Sequence, residues 1–174
     1  DIKNMGGVNR VTIDLAHALL EENIDITIYS LGEINNFCCD ISDKIKIISL
    51  GMLSHSTNEY VGLRKIKWFK ESYDLLQVEI CNKKDEIWVM SSPPLNLLIS
   101  FLKFKFPYLK VIGCDHTSTT YSKGFFVDKL KYTILKKNNY MIALTLKDKK
   151  NYEKKGLKTV FIPNFIDLSS VSTI

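Results

Sequence analysis

Two short stretches of the sequence combine residue types that could bind a ligand. Gly6 and Gly7 stand directly before a run with helical periodicity, so free backbone N–H groups and the helix dipole could meet a phosphate or a sugar there. A steric need for glycine in a tight turn is the other interpretation. His116 follows an apolar run and is succeeded by Thr117 and Ser118. It could bind a ligand at a strand end, or merely bond to these two hydroxyls.

Other polar residues offer weaker candidates for chemistry. Arg10 falls in the first turn of the predicted helix, where it could form a surface salt bridge or contact a substrate. His17 lies within the same helix and His55 in a polar stretch, so both are interpreted as solvated or packing residues.

Charge and cysteine content limit the classes of function. The 174 residues are 45% hydrophobic and 25% charged, which indicates one ordinary globular domain. The formal net charge is +5, and residues 123–158 hold eleven lysines against three acidic residues. This basic segment favours an anionic partner, although the charge is too weak for a dedicated nucleic-acid binder. Four cysteines without C-x-x-C spacing indicate reduced thiols in a cytoplasmic protein, with neither a zinc site nor a redox motif.

Peripheral contact with a membrane is a further prediction. The most apolar stretch, residues 93–102, is about half the length that a membrane span needs. Residues 101–110 interleave aromatic side chains with lysines, a composition typical of surfaces that meet lipid headgroups. The sequence therefore predicts attraction to an anionic membrane surface; the alternative is that the lysines of the basic segment form ordinary solvated helix faces.

Hydrophobic periodicity predicts an alternation of helices and strands. A helix over 8–22 precedes strands over 24–31 and 44–51, and a second helix has Ile66, Phe69, Tyr73, Leu76 and Ile80 on one stripe. A strand within 85–94 ends at two prolines and precedes a helix over 95–107 and a strand over 109–117. The remaining elements are a helix lined by Phe126, Leu130 and Ile134, a strand over 140–145, a basic helix ending at Gly156, and a strand over 158–163.

The order α β β α β α β α β α β predicts an α/β fold with a doubly wound, mainly parallel, Rossmann-like sheet. Ligands of such sheets bind at the carboxyl ends of the strands, which is where His116 is expected.

Four stretches together resemble a known family. Residues 6–31, Cys-Asp-His-Thr-Ser at 114–118, Ile-Ala-Leu-Thr at 142–145 before the basic helix, and Val-Phe-Ile-Pro-Asn-Phe-Ile-Asp at 160–167 resemble N-terminal domains of family 4 glycosyltransferases, which have the GT-B fold. The resemblance covers nearly the whole chain. It implies that residues 1–164 form the N-terminal, acceptor-side domain and that 165–174 begin the inter-domain hinge. It also implies a first strand upstream of Gly6 and a donor-binding domain downstream.

The resemblance implies a function and roles for particular residues. Such an enzyme retains anomeric configuration, uses neither metal nor cofactor, and moves a sugar from a nucleotide-sugar to a bacterial-type polysaccharide or lipid-linked glycan. Gly6 and Gly7 would lie near the donor phosphates or the acceptor, and His116 would contact the donor sugar. Thr117, Ser118 and Arg10 complete the candidate site. Without a second domain, we expect these 174 residues to be inactive alone.

Departures from the family pattern weaken some of these roles. Asn9 precedes Arg10 where the family often has an acid, Asp115 stands where Glu is frequent, and Phe165 replaces a common Gly or Pro. Two alternatives stay open: a GT-B sugar epimerase, or a non-catalytic nucleotide-binding or scaffold module. A dinucleotide-binding module is disfavoured because G-x-G-x-x-G is absent. No nucleic-acid partner is expected.

Overall fold

The computed structural model describes residues 7–32, 40–52, 64–116 and 124–163. Helices and strands alternate in the predicted order. They are α1 Gly7–Glu21, β1 Thr27–Ser30, β2 Lys46–Ser49, α2 Arg64–Ile80, β3 Ile87–Met90, α3 Pro93–Lys105, β4 Lys110–Cys114, α4 Phe125–Leu135, β5 Tyr140–Ala143, α5 Leu146–Lys154 and β6 Thr159–Phe161.

All strand pairs among the described residues are parallel, as the alternation predicts. β1 pairs with β2, and β3, β4, β5 and β6 pair in that order to form a second sheet. The fold is therefore α/β with parallel sheets and alternating strand–helix units, and it is Rossmann-like.

A gap separates the two sheets. β1 and β3 are not hydrogen-bonded to each other, and their Cα atoms stay more than 8 Å apart. Side chains nevertheless join them: the rings of Tyr29 and Trp88 stack with centroids 5.1 Å apart, and Lys83 donates to the Tyr29 hydroxyl. No described strand occupies the space between these two edges. Among the described residues, the sheet is thus interrupted between β1 and β3.

Helices cover the two faces of the sheets unequally. Ile28 and Tyr29 are consecutive in β1 and point to opposite faces. Ile28 packs with Ala16 of α1, whereas Tyr29 packs against the core that α2 and α3 share with β3 and β4. Cross-strand register puts Met90, Gly113 and Met141 on this second face, where Met141 packs with residues of α4 and α5.

The opposite face of the four-stranded sheet is largely uncovered by described residues. Ile87, Val89, Tyr140 and Val160 alternate with the buried positions of their strands and are 39–61% exposed. Among the described residues, both faces of β1 are therefore packed against helices, whereas helices cover mainly one face of β3 to β6.

Local chemistry explains where the helices around β4 and β5 begin and end. Pro93 and Pro94 take the first positions of α3, where a backbone N–H would have no intrahelical partner. Thr145 caps α5 by accepting from the Asp148 N–H at 3.0 Å. Gly156, at φ +80°, follows α5 in the left-handed conformation that ends helices, as the sequence predicted.

Candidate binding site at the carboxyl end of β4

The candidate site is built on the last residues of β4. β4 lies inside its sheet, between β3 and β5, and its chain leaves the sheet through Cys114, Asp115 and His116. Parallel α/β sheets bind ligands at this edge because strand carboxyl ends and helix amino ends converge there. The predicted position of His116 at the carboxyl end of a strand is confirmed, although β4 ends at Cys114, earlier than the predicted strand.

His116 is half-buried beside the thiol of Cys114. The His116 Nε2 lies 3.6 Å from the Cys114 Sγ. Burial lowers the pKa of His116 below its ordinary value of 6.5, against the opposing attraction of the Asp115 charge, so the imidazole is mainly neutral at pH 7. A neutral imidazole can both donate and accept a hydrogen bond, which suits a sugar hydroxyl.

Cys114 is a protonated thiol in this arrangement. Burial and, to a smaller extent, the negative charge of Asp115 raise the pKa of Cys114 to about 11. Nucleophilic cysteines instead depend on a lowered thiol pKa and a nearby cation. The Cys114–His116 pair therefore supports hydrogen bonding at this edge rather than covalent catalysis.

Asp115 points to the other face of the strand, where it joins the helices to the strand end. It is 5% exposed, accepts from the Tyr152 hydroxyl at 3.3 Å and lies 3.8 Å from the Lys131 Nζ. Burial and, to a smaller extent, the negative charge of Asp115 raise the pKa of Tyr152. The Tyr152 hydroxyl therefore keeps its proton and can donate a hydrogen bond. These contacts connect Asp115 to α4 through Lys131 and to α5 through Tyr152.

A buried polar network that involves α3 holds the carboxyl end of β4 in position. Asn96 of α3 donates from Nδ2 to the Cys114 carbonyl at 2.9 Å, and Ser100 donates to Asn138 Oδ1 at 2.8 Å. Gly113 permits this close approach, because a Cβ there would lie 2.7 Å from Asn96 Oδ1 and would clash with Met141 Sδ. The backbone that carries His116 is thus held by Asn96 of α3, and Ser100 connects α3 to Asn138 in the turn before β5.

The sequence did not single out Asn96 or Tyr152 for a role in this site. Asn96 is a polar residue in the apolar run of α3, and Tyr152 is the one aromatic residue in the Lys-rich sequence of α5. Each residue differs in polarity from its neighbours in the sequence, and this contrast could have marked it as a candidate.

Gly7 and Arg10 lie in the first turn of α1. A Cβ built on Gly7 meets no atom within 4 Å, and its φ lies outside the left-handed region, so the described structure does not demand glycine there. Arg10 forms an ion pair with Asp14 at 3.8 Å, and its side chain stays 60% exposed. The remaining candidates, Gly6, Thr117 and Ser118, lie outside the described residues.

The other histidines and cysteines add no second site within the described ranges. His17 Nε2 accepts from the Ser42 N–H at 3.2 Å, whereas His55 lies outside those ranges. Cys81 and Cys114 are free thiols. No group of three or more possible metal ligands occurs among these residues.

The two segments predicted to meet a membrane touch each other. Lys103 donates to Asn139 Oδ1 at 2.6 Å, and the Lys137 Nζ lies 4.9 Å above the Phe104 ring. Phe101 packs edge-on against Phe69 and is only 40% exposed. No described helix is long and apolar enough to cross a bilayer.

Comparisons with known proteins leave the family open. No family model matches the chain, and the search of curated proteins finds no significant match.

Proposed function

We propose that this chain is the N-terminal, acceptor-side domain of a retaining glycosyltransferase of the GT-B type. The enzyme would transfer a sugar from a nucleotide-sugar to a polysaccharide or lipid-linked glycan. The observation that carries the proposal is the neutral, half-buried His116 directly after β4, in the stretch Cys-Asp-His-Thr-Ser that resembles the family.

The candidate site residues that the structure describes would form part of one wall of the substrate cleft. His116 would hydrogen-bond a hydroxyl of the donor sugar, and the Asn96 bond to the Cys114 carbonyl would hold the strand that carries it. Gly7 would admit a ligand close to the α1 backbone, because no described residue fills the space where its Cβ would be. Catalysis would depend on holding both substrates in register and on stabilising the departing phosphate in a dry cleft.

The gap between the sheets is consistent with the same proposal. A further parallel strand between β1 and β3 would turn two short sheets into one continuous sheet, with Tyr29 and Trp88 packed beneath it. A helix at the position of α1 would then follow that strand as the crossover to β1. This finer assignment of the fold belongs to the proposal.

The test is a transfer assay of the complete gene product against a panel of nucleotide-sugars. His116→Ala should lower turnover by about tenfold or more, the scale of a lost transition-state hydrogen bond. His17→Ala is the matched control, because it also removes an imidazole but from the contact with Ser42. Both variants should be checked by circular dichroism and thermal unfolding.

The possible outcomes separate the proposal from its alternatives. Turnover that depends on His116 and not on His17 supports a transferase. Nucleotide-sugar binding without transfer favours a binding or scaffold module, and interconversion of the free nucleotide-sugar favours an epimerase. Unchanged turnover in His116→Ala contradicts the role of this residue.

A further inference from the structure

The first half of α4 exposes a cluster of large apolar side chains. Phe125 is 76% exposed, Phe126 84%, Val127 52% and Leu130 62%; we call these four residues the α4 ridge. Single exposed apolar residues are normal on protein surfaces, but contiguous ones mark sites of interaction. Phe126 and Leu130 are one helical turn apart and share one side of α4.

The ridge is not the core-facing side of α4. Tyr132 and Leu135 face the core instead, where they pack with Met141, Ala143 and Tyr152. Rotating α4 to bury the ridge would expose Tyr132 and Leu135, which are 9% and 2% exposed. The helix therefore has two apolar sides, and the described residues cover only one of them.

A basic groove lies beside the ridge. The Cα atoms of α4 and α5 stay more than 8 Å apart, which leaves a groove of about 610 Å³ between the helices. Its lining includes one acidic side chain and four lysines, which define the lysine groove: Lys129, Lys136, Lys154 and Lys155. Phe125 belongs to the ridge and also lines the groove, so the two features are continuous.

Two of these lysines lie close to neighbouring residues of the groove. The Lys155 Nζ lies 5.4 Å from the centroid of the Tyr132 ring. The Lys136 side chain lies over Gly156, with its Nζ 3.2 Å from the position that a Cβ would take. The ammonium groups are thus gathered around one groove, where an anion would relieve their mutual repulsion.

We propose that the α4 ridge and the lysine groove together dock the protein onto an anionic lipid bilayer. The aromatic and aliphatic side chains of the ridge enter the interface, and the lysines bind the phosphate-bearing headgroups. Charge complementarity selects this occupant. The buried centres of protein–protein interfaces are depleted in lysine, whereas membrane-surface helices combine lysine with Phe and Leu. The proposal does not depend on His116 or on sugar transfer.

The proposal takes the apolar side chains of the membrane contact from α4, whereas the sequence prediction took them from residues 101–110. Residues 101–110 were expected to supply the aromatic side chains. Phe101 packs on Phe69, and the ring of Phe104, although 59% exposed, lies under Lys137, so both rings already contact other parts of the protein. The ridge instead comes from the helix stripe that includes Phe126 and Leu130.

The test is co-sedimentation of the chain with vesicles of phosphatidylcholine alone or with 30% phosphatidylglycerol, a composition chosen to be about as anionic as a bacterial-type leaflet. The chain should bind the anionic vesicles at low salt, bind less as salt rises, and leave the zwitterionic vesicles unbound. Phe126→Ser with Leu130→Ser should weaken binding by about tenfold or more, because two apolar anchors are lost. Ile66→Ser with Val78→Ser is the matched control, since both side chains are 66% exposed on α2.

A charge-reversal pair tests the electrostatic half of the proposal. Lys129→Glu with Lys154→Glu should also weaken binding by about tenfold or more and should flatten its salt dependence. Lys65→Glu with Lys67→Glu changes net charge equally on exposed positions of α2 and should have a much smaller effect. All these positions are exposed, so the variants should keep the unfolding midpoint of the parent chain.

Three results would overturn the proposal. One is negligible sedimentation with anionic vesicles at low salt. Another is equal weakening by the α2 controls and by the α4 variants, since that would reduce the effect to net charge or general hydrophobicity. The third is a concentration-dependent dimer, seen by analytical ultracentrifugation and lost in Phe126→Ser with Leu130→Ser, in a chain that binds no vesicles; the ridge would then be covered by a second copy.

Discussion

Helices α3 and α4 follow neighbouring strands and are both rich in apolar residues, yet they use those residues in opposite ways. Leu98, Ile99 and Leu102 of α3 are fully buried, whereas Phe126 and Leu130 of α4 are 84% and 62% exposed. α3 packs between α2 and α4, while α4 diverges from α5. Apolar spacing therefore predicts that a helix forms, but neighbouring elements decide which of its sides is covered.

The largest expected difference between the two helices is in stability. Leu102→Ala should lower the free energy of unfolding by about 2–5 kcal/mol, because it leaves a cavity in the core shared with Leu76 and Val111. Leu130→Ala deletes the same atoms from a side chain that is 62% exposed and should stay within about 0.5 kcal/mol of the parent chain. Urea unfolding of both variants measures the contrast. A cost for Leu130→Ala close to that of Leu102→Ala would show that the ridge is buried in solution.

An intermediate effect is expected at the contact between α3 and β4. Gly113→Ala should cost about 1–3 kcal/mol, because the new methyl group would clash with Asn96 Oδ1 and Met141 Sδ. Gly7→Ala is the control, since the space around its Cβ is open and alanine favours helix. Thermal unfolding should find Gly7→Ala as stable as the parent chain or slightly more so. Equal stability of Gly113→Ala and the parent would mean that α3 lies farther from β4.

The smallest effect concerns pH and the strand end that both helices flank. The pKa of His116 is lowered by burial, so the unfolded chain binds the extra proton more readily than the folded chain. Protonation of His116 therefore destabilises the folded chain. This loss of stability is absent at pH values well above 6.5 and grows as the pH falls through 6.5 toward the lowered pKa of His116. His116→Gln should flatten the slope of stability against pH in this window. An unchanged slope would show that the imidazole is solvated like that of an unfolded chain.

Much of the fold could be predicted from local patterns. The element order, the parallel pairing, the helix end at Gly156 and the position of His116 past a strand all follow from periodicity and turn chemistry within short windows. The residues that stabilise the candidate site could not be predicted in this way. Asp115 meets Tyr152 across 37 positions and Asn138 meets Ser100 across 38, and such pairings depend on how whole elements pack.

The exposed side of α4 was unpredictable for a related reason. Phe126, Leu130 and Ile134 have the spacing of a helix stripe, yet only Ile134 is buried. A second set, Tyr132 and Leu135, faces the core from an adjoining side of the helix. One sequence window cannot decide between two apolar sides, because the choice is made by β5 and α5, which come later in the chain.

The gap between the two sheets has a spectroscopic consequence. The chain has two tryptophans, and both lie at this junction. Trp88 of β3 stacks on Tyr29 of β1, and Trp68 of α2 packs on Met52, which follows β2. Tryptophan emission should therefore report the separation of the two sheets. The far-ultraviolet circular dichroism of α4 and α5 instead reports helices that lie away from this junction. If the two sheets separate before either one unfolds, the tryptophan emission will change at a lower urea concentration than the far-ultraviolet circular dichroism does.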